Sequence, residues 1–432
     1  MIELINFSIK NSFGKYLFKD INLTIKRGEV LGITGRSGSG KTLLALSIAG
    51  VKYGGLHSEG KVLRRNIQNT GILFQNPLNQ IFSSRVYEQL KTSLFLNSMN
   101  TDDKYIELIA SEWDIDDILY KETSKLSLGE AQKVAIASIM ISKPDLIILD
   151  EPFQYVDNYS FEKNTEKLKN AENKPAIIII EHNYYMLNKI SDKILKLEDN
   201  HGVVQKTLEV PEGKDVIIEA LSEKKYFEFN SVFFSYFRFK KNFVFKDFSF
   251  LFRNGFLIID GKNGSGKSTF VKLLARVLKQ KKGSVKINFG KREFINPKLE
   301  DIRGNIGYIF QNPDYQIFSD TVKDEILFGV KDYNEDYFNY WVKKFDIEFL
   351  LDRSPLLLSY GERRRVNFLS ATIRCPNLII YDEPTVGLDY ENRLLLLEFI
   401  EYHNKRGALQ VLISHDRWFK KKIKGDIKRL KL

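Results

Sequence analysis

Short runs in which every position is apolar punctuate the chain, among them Leu146-Ile-Ile-Leu149, Ala176-Ile-Ile-Ile-Ile180 and Leu378-Ile-Ile380. A strand that is apolar on both sides must be covered on both sides, so these runs predict buried parallel strands with helices over the sheet. Two further strands, Val30-Leu-Gly-Ile-Thr34 and Phe256-Leu-Ile-Ile-Asp260, lead into glycine-rich loops and then into helical stretches at 43–48 and 270–277. The pattern is that of α/β layers.

The chain also matches itself at long range. Gly35-Arg-Ser-Gly-Ser-Gly-Lys41-Thr42 recurs as Gly261-Lys-Asn-Gly-Ser-Gly-Lys267-Ser268, and Phe74-Gln-Asn-Pro77 as Phe310-Gln-Asn-Pro313. Leu126-Ser-Leu-Gly-Glu130 recurs as Leu358-Ser-Tyr-Gly-Glu362, Leu149-Asp-Glu-Pro152 as Tyr381-Asp-Glu-Pro384, and Glu181-His-Asn183 as Ser414-His-Asp416. Five landmarks in one order predict a duplicated domain, 1–212 and 226–432. The seam follows strand-like residues at 203–210 and precedes the strand-like Tyr226-Phe-Glu-Phe; Pro211-Glu-Gly213 reads as a turn and 213–225 as a linker.

Composition narrows the class. The 432 residues, 43% hydrophobic and 28% charged, suit a globular protein long enough for two cores. No apolar run reaches the roughly 18 to 20 residues of a spanning helix, and the opening Met-Ile-Glu-Leu-Ile-Asn-Phe has no basic leader, so neither a membrane span nor a signal peptide is expected. The net charge of +11 is spread along the length, which marks solvated surface and gives no reason to expect nucleic acid. The one dense run, 420–424 with Arg429 and Lys431, closes the chain. A single cysteine, Cys375, cannot close an internal disulfide, fits a reducing cytoplasm, and is expected as a small buried residue beside Pro376.

The glycine-rich loops sit between strand and helix, as a phosphate-binding P-loop requires. In the first copy Gly35, Ser37, Gly38, Ser39 and Gly40 would curl main-chain amides around phosphates, with Lys41 reaching the β and γ phosphates and Thr42 holding Mg2+. Gly261, Asn263, Gly264, Ser265, Gly266, Lys267, Ser268 and Thr269 repeat the arrangement. Each later apolar strand ends in two carboxylates. Asp150 or Asp382 is placed to meet the metal, and Glu151 or Glu383 to orient and deprotonate an attacking water. His182 and His415 each follow a strand at equivalent places.

P-loop, Gln75/Gln311, Leu-Ser-x-Gly-Glu, the Asp-Glu pair, Asp157/Asp389 and His182/His415, in this order, resemble the motif set of ATP-binding-cassette (ABC) ATPases twice over. The resemblance implies two tandem P-loop NTPase domains, each with a mixed sheet core and a helical subdomain, binding ATP and Mg2+. It implies that Gln75 and Gln311 sense the metal and a transport subunit, and that the histidines stabilise the γ phosphate. It further implies that Ser127 with Gly129, and Ser359 with Gly361, face ATP held by the opposite domain. Tyr236, in Phe234-Ser-Tyr-Phe237, falls where the family stacks a ring on adenine, and Ile9 is expected in its place in the first copy, where Phe13 or Tyr16 can substitute; tighter binding at the Lys267 site follows. The first copy's Phe153-Gln-Tyr-Val-Asp157 also departs further from the family than Thr385-Val-Gly-Leu-Asp389.

Phe310-Gln-Asn-Pro-Asp-Tyr-Gln-Ile-Phe318, followed by Thr321-Val322 and Asp324-Glu-Ile-Leu-Phe-Gly329, resembles energy-coupling-factor (ECF) and cobalt- or biotin-type importer ATPases. That resemblance implies a subunit peripheral to the cytoplasmic face of the cell membrane, energising uptake of a vitamin or metal ion. Its partners would be a transmembrane T component and a substrate-binding membrane protein. The first copy departs after Phe82, with Val86-Tyr-Glu-Gln-Leu-Lys-Thr-Ser93, and a different partner contact is expected there. Leu128 and Tyr360 replace a signature glycine, and Glu130 and Glu362 its glutamine, predicting weakened function. The alternative is a soluble tandem ATPase acting on ribosomes; its long charged linker between cassettes has no counterpart at this short seam.

Overall fold

The computed structural model describes the chain except residues 12, 13, 37, 52, 53, 100, 101, 153–157, 171–173, 199, 221–224, 237–242, 254 and 263. Ser37, Asn263, Phe13 and the 153–157 segment therefore lie outside the described residues. Two compact units emerge, Met1–Pro211 and Glu212–Leu432.

In the first unit, strands β1 (Ile2–Lys10), β2 (Tyr16–Ile25), β3 (Val30–Gly35), β4 (His57–Arg64), β5 (Thr70–Leu73), β6 (Leu146–Asp150), β7 (Ala176–Ile180), β8 (Lys193–Glu198) and β9 (His201–Gln205) form one sheet in the order β4-β1-β2-β9-β8-β3-β7-β6-β5. The all-apolar runs occupy its parallel part, where β5, β6, β7, β3 and β8 pair in register. Helix α1 (Lys41–Ala49) packs Leu44, Ala45 and Ile48 onto that sheet. Helices α2 (Val86–Leu96), α3 (Asp103–Glu112) and α4 (Leu128–Met140) gather around Leu90, Leu94, Trp113 and Val134. Helices α5 (Asn158–Lys169) and α6 (Tyr184–Ile190) follow β6 and β7.

The second unit divides the same scheme into separate sheets. Strands β11 (Lys225–Phe234), β12 (Phe245–Arg253), β14 (Lys282–Phe289) and β15 (Glu293–Ile295) are antiparallel. Strands β13 (Phe256–Asp260), β16 (Ile306–Ile309), β17 (Leu378–Asp382), β18 (Leu409–Ile413) and β20 (Ile427–Lys431) form a parallel sheet in the order β16-β17-β18-β13-β20. Helix α7 (Lys267–Leu274) inserts Phe270 among Phe227, Phe229, Phe248 and Phe250. After the short α8 (Leu299–Ile302) and α9 (Val322–Ile326), α10 (Glu335–Lys344), α11 (Tyr360–Thr372) and α12 (Tyr390–Lys405) enclose Trp341, Phe345, Phe368 and Phe399, and α13 (Arg417–Lys422) closes the series.

The stretch expected as a linker is partly built into this unit. Val216–Ile218 forms strand β10, which pairs in parallel with β19 (Ile423–Gly425) and buries Val216 and Ile218. Glu219 N–H donates to Asn404 Oδ1 (2.9 Å), and Asn404 returns a bond to Glu219 O (3.2 Å). Cys375, expected buried, is exposed: α11 has ended and the cysteine takes a left-handed φ of 49° that turns the chain into β17.

Candidate functional site

Both P-loops close on themselves through their lysines. Lys41 Nζ donates to Gly35 O (3.0 Å) and Arg36 O (2.8 Å), and Lys267 Nζ to Gly261 O (2.8 Å) and Lys262 O (2.9 Å). Gly40 and Gly266, directly before α1 and α7, have φ of 86° and 101°, which side chains rarely adopt. A Cβ on Gly266 would also lie 2.9 Å from Val244. The glycine spacing is thus a backbone requirement at the start of each helix, where free amides suit an anion.

The carboxylates meet these loops from the ends of β6 and β17. Thr42 Oγ1 donates to Asp150 Oδ2 (2.8 Å). In the second unit Tyr308 OH, on β16, donates to Asp382 Oδ2 (3.1 Å), while Asp382 Oδ1 is buried with no hydrogen-bond partner among the described residues. Burial pushes both aspartates up, Asp382 to about 6 with help from Glu383. In the first unit a carboxylate bonded to the P-loop threonine, and in the second a buried carboxylate oxygen lacking a donor among the described residues, fit a hard divalent cation such as Mg2+.

Glu151 and Glu383 each adopt a left-handed φ of 49°, with their amides bonded to Ile180 O and Ile413 O (2.9 Å each). The strained turn re-aims the carboxylate past the strand end, which an Asp-Glu string does not announce. Glu383 Oε2 accepts from His415 N–H (3.0 Å), and His415 Nε2 stands 3.4 Å from Oε1. In the first unit Glu181 intervenes: its Oε1 takes the amides of His182 (2.8 Å) and Asn183 (3.0 Å), and His182 Nε2 lies 3.6 Å from Glu151 Oε1. Burial, the Glu181 charge and the Asp150 charge push Glu151 up to about 8, against an opposing bond from Gln75. Ser414 replaces Glu181 in the second unit.

The signature departures have a local cause. Ser127 and Ser359 are the N-caps of α4 and α11, and each forms a capping box with the glutamate three residues on. Ser127 N–H and Ser359 N–H donate to Glu130 Oε2 and Glu362 Oε2 (2.7 Å each), so glutamate binds the cap amide with a full charge. Gly129 and Gly361 lie in the first turns.

Gln75 and Gln311 begin loops of matching build. Gln80 Oε1 accepts from Phe74 N–H (2.8 Å), as Gln316 Oε1 does from Phe310 N–H (3.0 Å). Glu325 Oε2 then takes the amides of Phe318 and Ser319 (2.9 Å each); in the first unit Gln89 Oε1 takes those of Phe82 and Ser83 (3.1 and 3.3 Å). The sequence departs after Phe82, yet both loops present a bare phenylalanine: Phe82 is 66% and Phe318 61% exposed.

The family model for ABC transporter ATPases matches residues 18–154 and 245–386, which contain both P-loops, both Gln loops and both Asp-Glu pairs. The chain belongs to the ABC transporter family.

It is a tandem ABC ATPase that binds and hydrolyses ATP. A putative ABC transporter ATP-binding protein of Sulfurisphaera tokodaii is 30% identical, over 92% of this chain and 89% of the relative. A putative HMP/thiamine import ATP-binding protein of Bacillus subtilis is 27% identical, over 96% and 86%. Among solved structures, an RNase-L Inhibitor gives a TM-score of 0.66 at 18% identity, covering 98% of this chain and 87% of that one. An archaeal ribosome recycling factor complexed with a ribosomal stalk protein gives 0.62 at 20%, covering 94% and 84%. These structural likenesses show the shared tandem fold.

In this ABC ATPase the strand register also changes the expected first-unit counterpart of Tyr236. Asn6 and Ser231 carry the same left-handed kink (φ 47° and 45°), which aligns buried Ile9 with buried Phe234. Tyr236 lies two residues beyond the strand, 57% exposed, with its OH 2.9 Å from Thr269 Oγ1. Asn11, not Ile9, is its positional counterpart. Tyr308 and Glu181 are site residues to which motif reading gave no role: Tyr308 lies outside the motif strings, Glu181 inside one, and only the folded strands bring them to the carboxylates.

Proposed function

We propose that this ABC ATPase is the peripheral motor of a membrane importer of the ECF type, bound at the cytoplasmic face through a transmembrane T component and serving a substrate-binding membrane protein that selects a vitamin or metal ion. The observation that carries the reading is the exposed aromatic edge beside each Gln loop. Phe318 and Phe328, 61% and 62% exposed, meet edge to face at 4.5 Å, with Tyr315 70% exposed nearby in sequence. A soluble chain gains nothing from holding such rings in water through two dedicated amide bonds; a docking surface for an apolar partner helix does. The import name of the Bacillus relative points the same way.

In this reading the P-loop amides with Lys41 and Lys267 hold the phosphates, Tyr236 stacks on adenine, and Ser127, Gly129, Ser359 and Gly361 act at the γ phosphate. Thr42, Gln75 and Asp150, and Ser268, Gln311 and Asp382, would hold Mg2+, whose charge would offset that developing on the phosphate oxygens. Glu151 and Glu383 orient and deprotonate water, and His182 and His415 donate to the γ phosphate.

No described helix is long and apolar enough to cross a membrane, so recruitment needs a partner. Co-expression with the transmembrane subunit should move the protein to the membrane fraction, and Phe318→Ser with Phe328→Ser should reverse this. Equal membrane binding without any partner, or no effect of the double substitution, refutes it. The ribosome-acting alternative shares the tandem fold of the solved structures above; ATP-dependent co-pelleting with ribosomes would favour it over the importer.

A further inference from the structure

Arg364 is wholly buried on α11 and bonds to two separate loops. Its Nη1 donates to Phe310 O (2.5 Å), and its Nη2 donates both to Gln311 O (2.8 Å) and to Glu383 O (2.9 Å). Two helical turns' worth of the same face completes the grip: Tyr360 OH reaches Gln311 O (3.4 Å), and Asn367 Nδ2 donates to Pro313 O (3.1 Å). A buried guanidinium needs acceptors, and here all three are main-chain carbonyls, so the bonds fix backbone position and not a side-chain charge pair. The Glu383 residue is held on both sides: Ile413 O takes its N–H, Arg364 takes its carbonyl, and its φ of 49° is a strained value that relaxes when such bonds are lost. The first unit is built otherwise. Gln132 stands at the position of Arg364 and donates to Pro152 O, on the carboxylate turn; among the described residues its own Oε1 has no partner and it makes no bond to the Gln75 loop.

We propose that Arg364 is a positioning residue for hydrolysis in the second cassette: it locks the Glu383 peptide and ties it to the Gln311 loop, so that this loop and the general base move as one. The first cassette has Gln132 at this place, and there Gln75 bonds Glu151 through its own side chain. The inference rests on Glu383 being the base. A shift of about 1 Å in a positioned group can cost on the order of a hundredfold in rate, whereas the phosphate-holding loop is untouched by Arg364.

The test is ATP turnover per nucleotide bound, in a Glu151→Gln background that leaves only the second site's chemistry. Arg364→Gln, the residue the first cassette uses, is expected to lower kcat at least tenfold with KM for ATP changed less than about twofold. Arg364→Lys, which keeps the charge but lacks the fork that spans two loops, is expected to fall almost as far; if the Gln variant does not fold, the Lys variant decides. Combined with Gln311→Ala, Arg364→Gln should lose little more than the worse single variant, because both act on one base. An unchanged kcat, a kcat restored by Lys, or fully additive losses overturn the proposal. Glu151→Gln, Glu383→Gln serves as control: if it still turns over, the reading of Glu383 fails and the clamp falls with it, whereas a dead control beside a fully active Arg364→Gln condemns the clamp alone.

Discussion

His403 offers a stability test that depends on one buried ring. It is 1% exposed on α12, its Nε2 lies 3.0 Å from Tyr337 OH, and Phe399 packs edge-on at 4.6 Å. Burial first, and the Arg406 charge second, lower its pKa from 6.5 to about 3. A depressed folded pKa gives stability that is complete above the unfolded value and is lost as pH falls, because the unfolded chain takes up the proton first. Between pH 7.5 and pH 5 the unfolded ring gains its proton while the folded ring does not. The interval below 6.5 is about one and a half pH units, which at 1.36 kcal/mol per unit is a loss of about 2 kcal/mol. For a unit of about two hundred residues that corresponds to a fall of roughly 4 to 8 °C in Tm. His403→Gln keeps a polar group beside Tyr337, whose OH also contacts Thr372 Oγ1 at 2.7 Å, and has nothing to titrate. Calorimetry of the full chain at both pH values should show the second unit's transition falling less in the variant, by about that amount. The cost of the substitution at pH 7.5 does not enter, since only the difference in slope bears on the argument. Parallel pH dependences in the two proteins would show that His403 is protonated in the folded state and refute the reasoning.

Two further outcomes concern the sites. In a Glu383→Gln background, Glu181→Ser should raise first-site turnover between about pH 6.5 and 8, because it removes a carboxylate that, after burial, holds Glu151 protonated; unchanged or lower turnover across that range defeats the explanation. Tyr236→Ala, measured in Lys41→Ala protein, should weaken ATP binding about tenfold, within the roughly 1 to 3 kcal/mol that a ring contributes to a stacked base, and affinity preserved within about twofold would remove Tyr236 from the adenine site.

The local chemistry was readable because it is written in short strings. A P-loop needs glycines at fixed places for φ near 90° at Gly40 and Gly266, and no other residue substitutes cheaply. The apolar runs at β6, β7 and β17 announce burial on both faces without reference to anything distant. What escaped reading was register and long-range pairing. The likeness of Phe7-Ser-Ile to Phe234-Ser-Tyr suggests Ile9 as the counterpart of Tyr236, but the left-handed kinks at Asn6 and Ser231 set the register, and a kink of this kind leaves no signature in polar or apolar order. Strand β10 falls in the stretch expected as linker because three residues are too few to show a period. Tyr308 on Asp382 and Arg364 on Phe310 join residues 74 and 54 apart, and depend on which strands become neighbours.

The seam itself has a consequence for where this protein tolerates being divided. Leu208 is stitched to the first unit by a reciprocal pair of bonds with Asn188 (2.7 and 2.8 Å). From Glu212 onward the chain belongs to the second: Lys422 Nζ holds Glu212 O (3.1 Å), Tyr390 OH accepts from Gly213 N–H (3.1 Å), and β10 follows. Ownership of the backbone changes between Leu208 and Glu212. A protease nick, an inserted Gly-Ser spacer or a split into two separately expressed genes at that place leaves every named bond intact. The same break moved past Ile218 would strand Val216 and Ile218 on the wrong piece and strip β19 of its only described partner, so a second half begun at residue 226 should be less stable than one begun at 212.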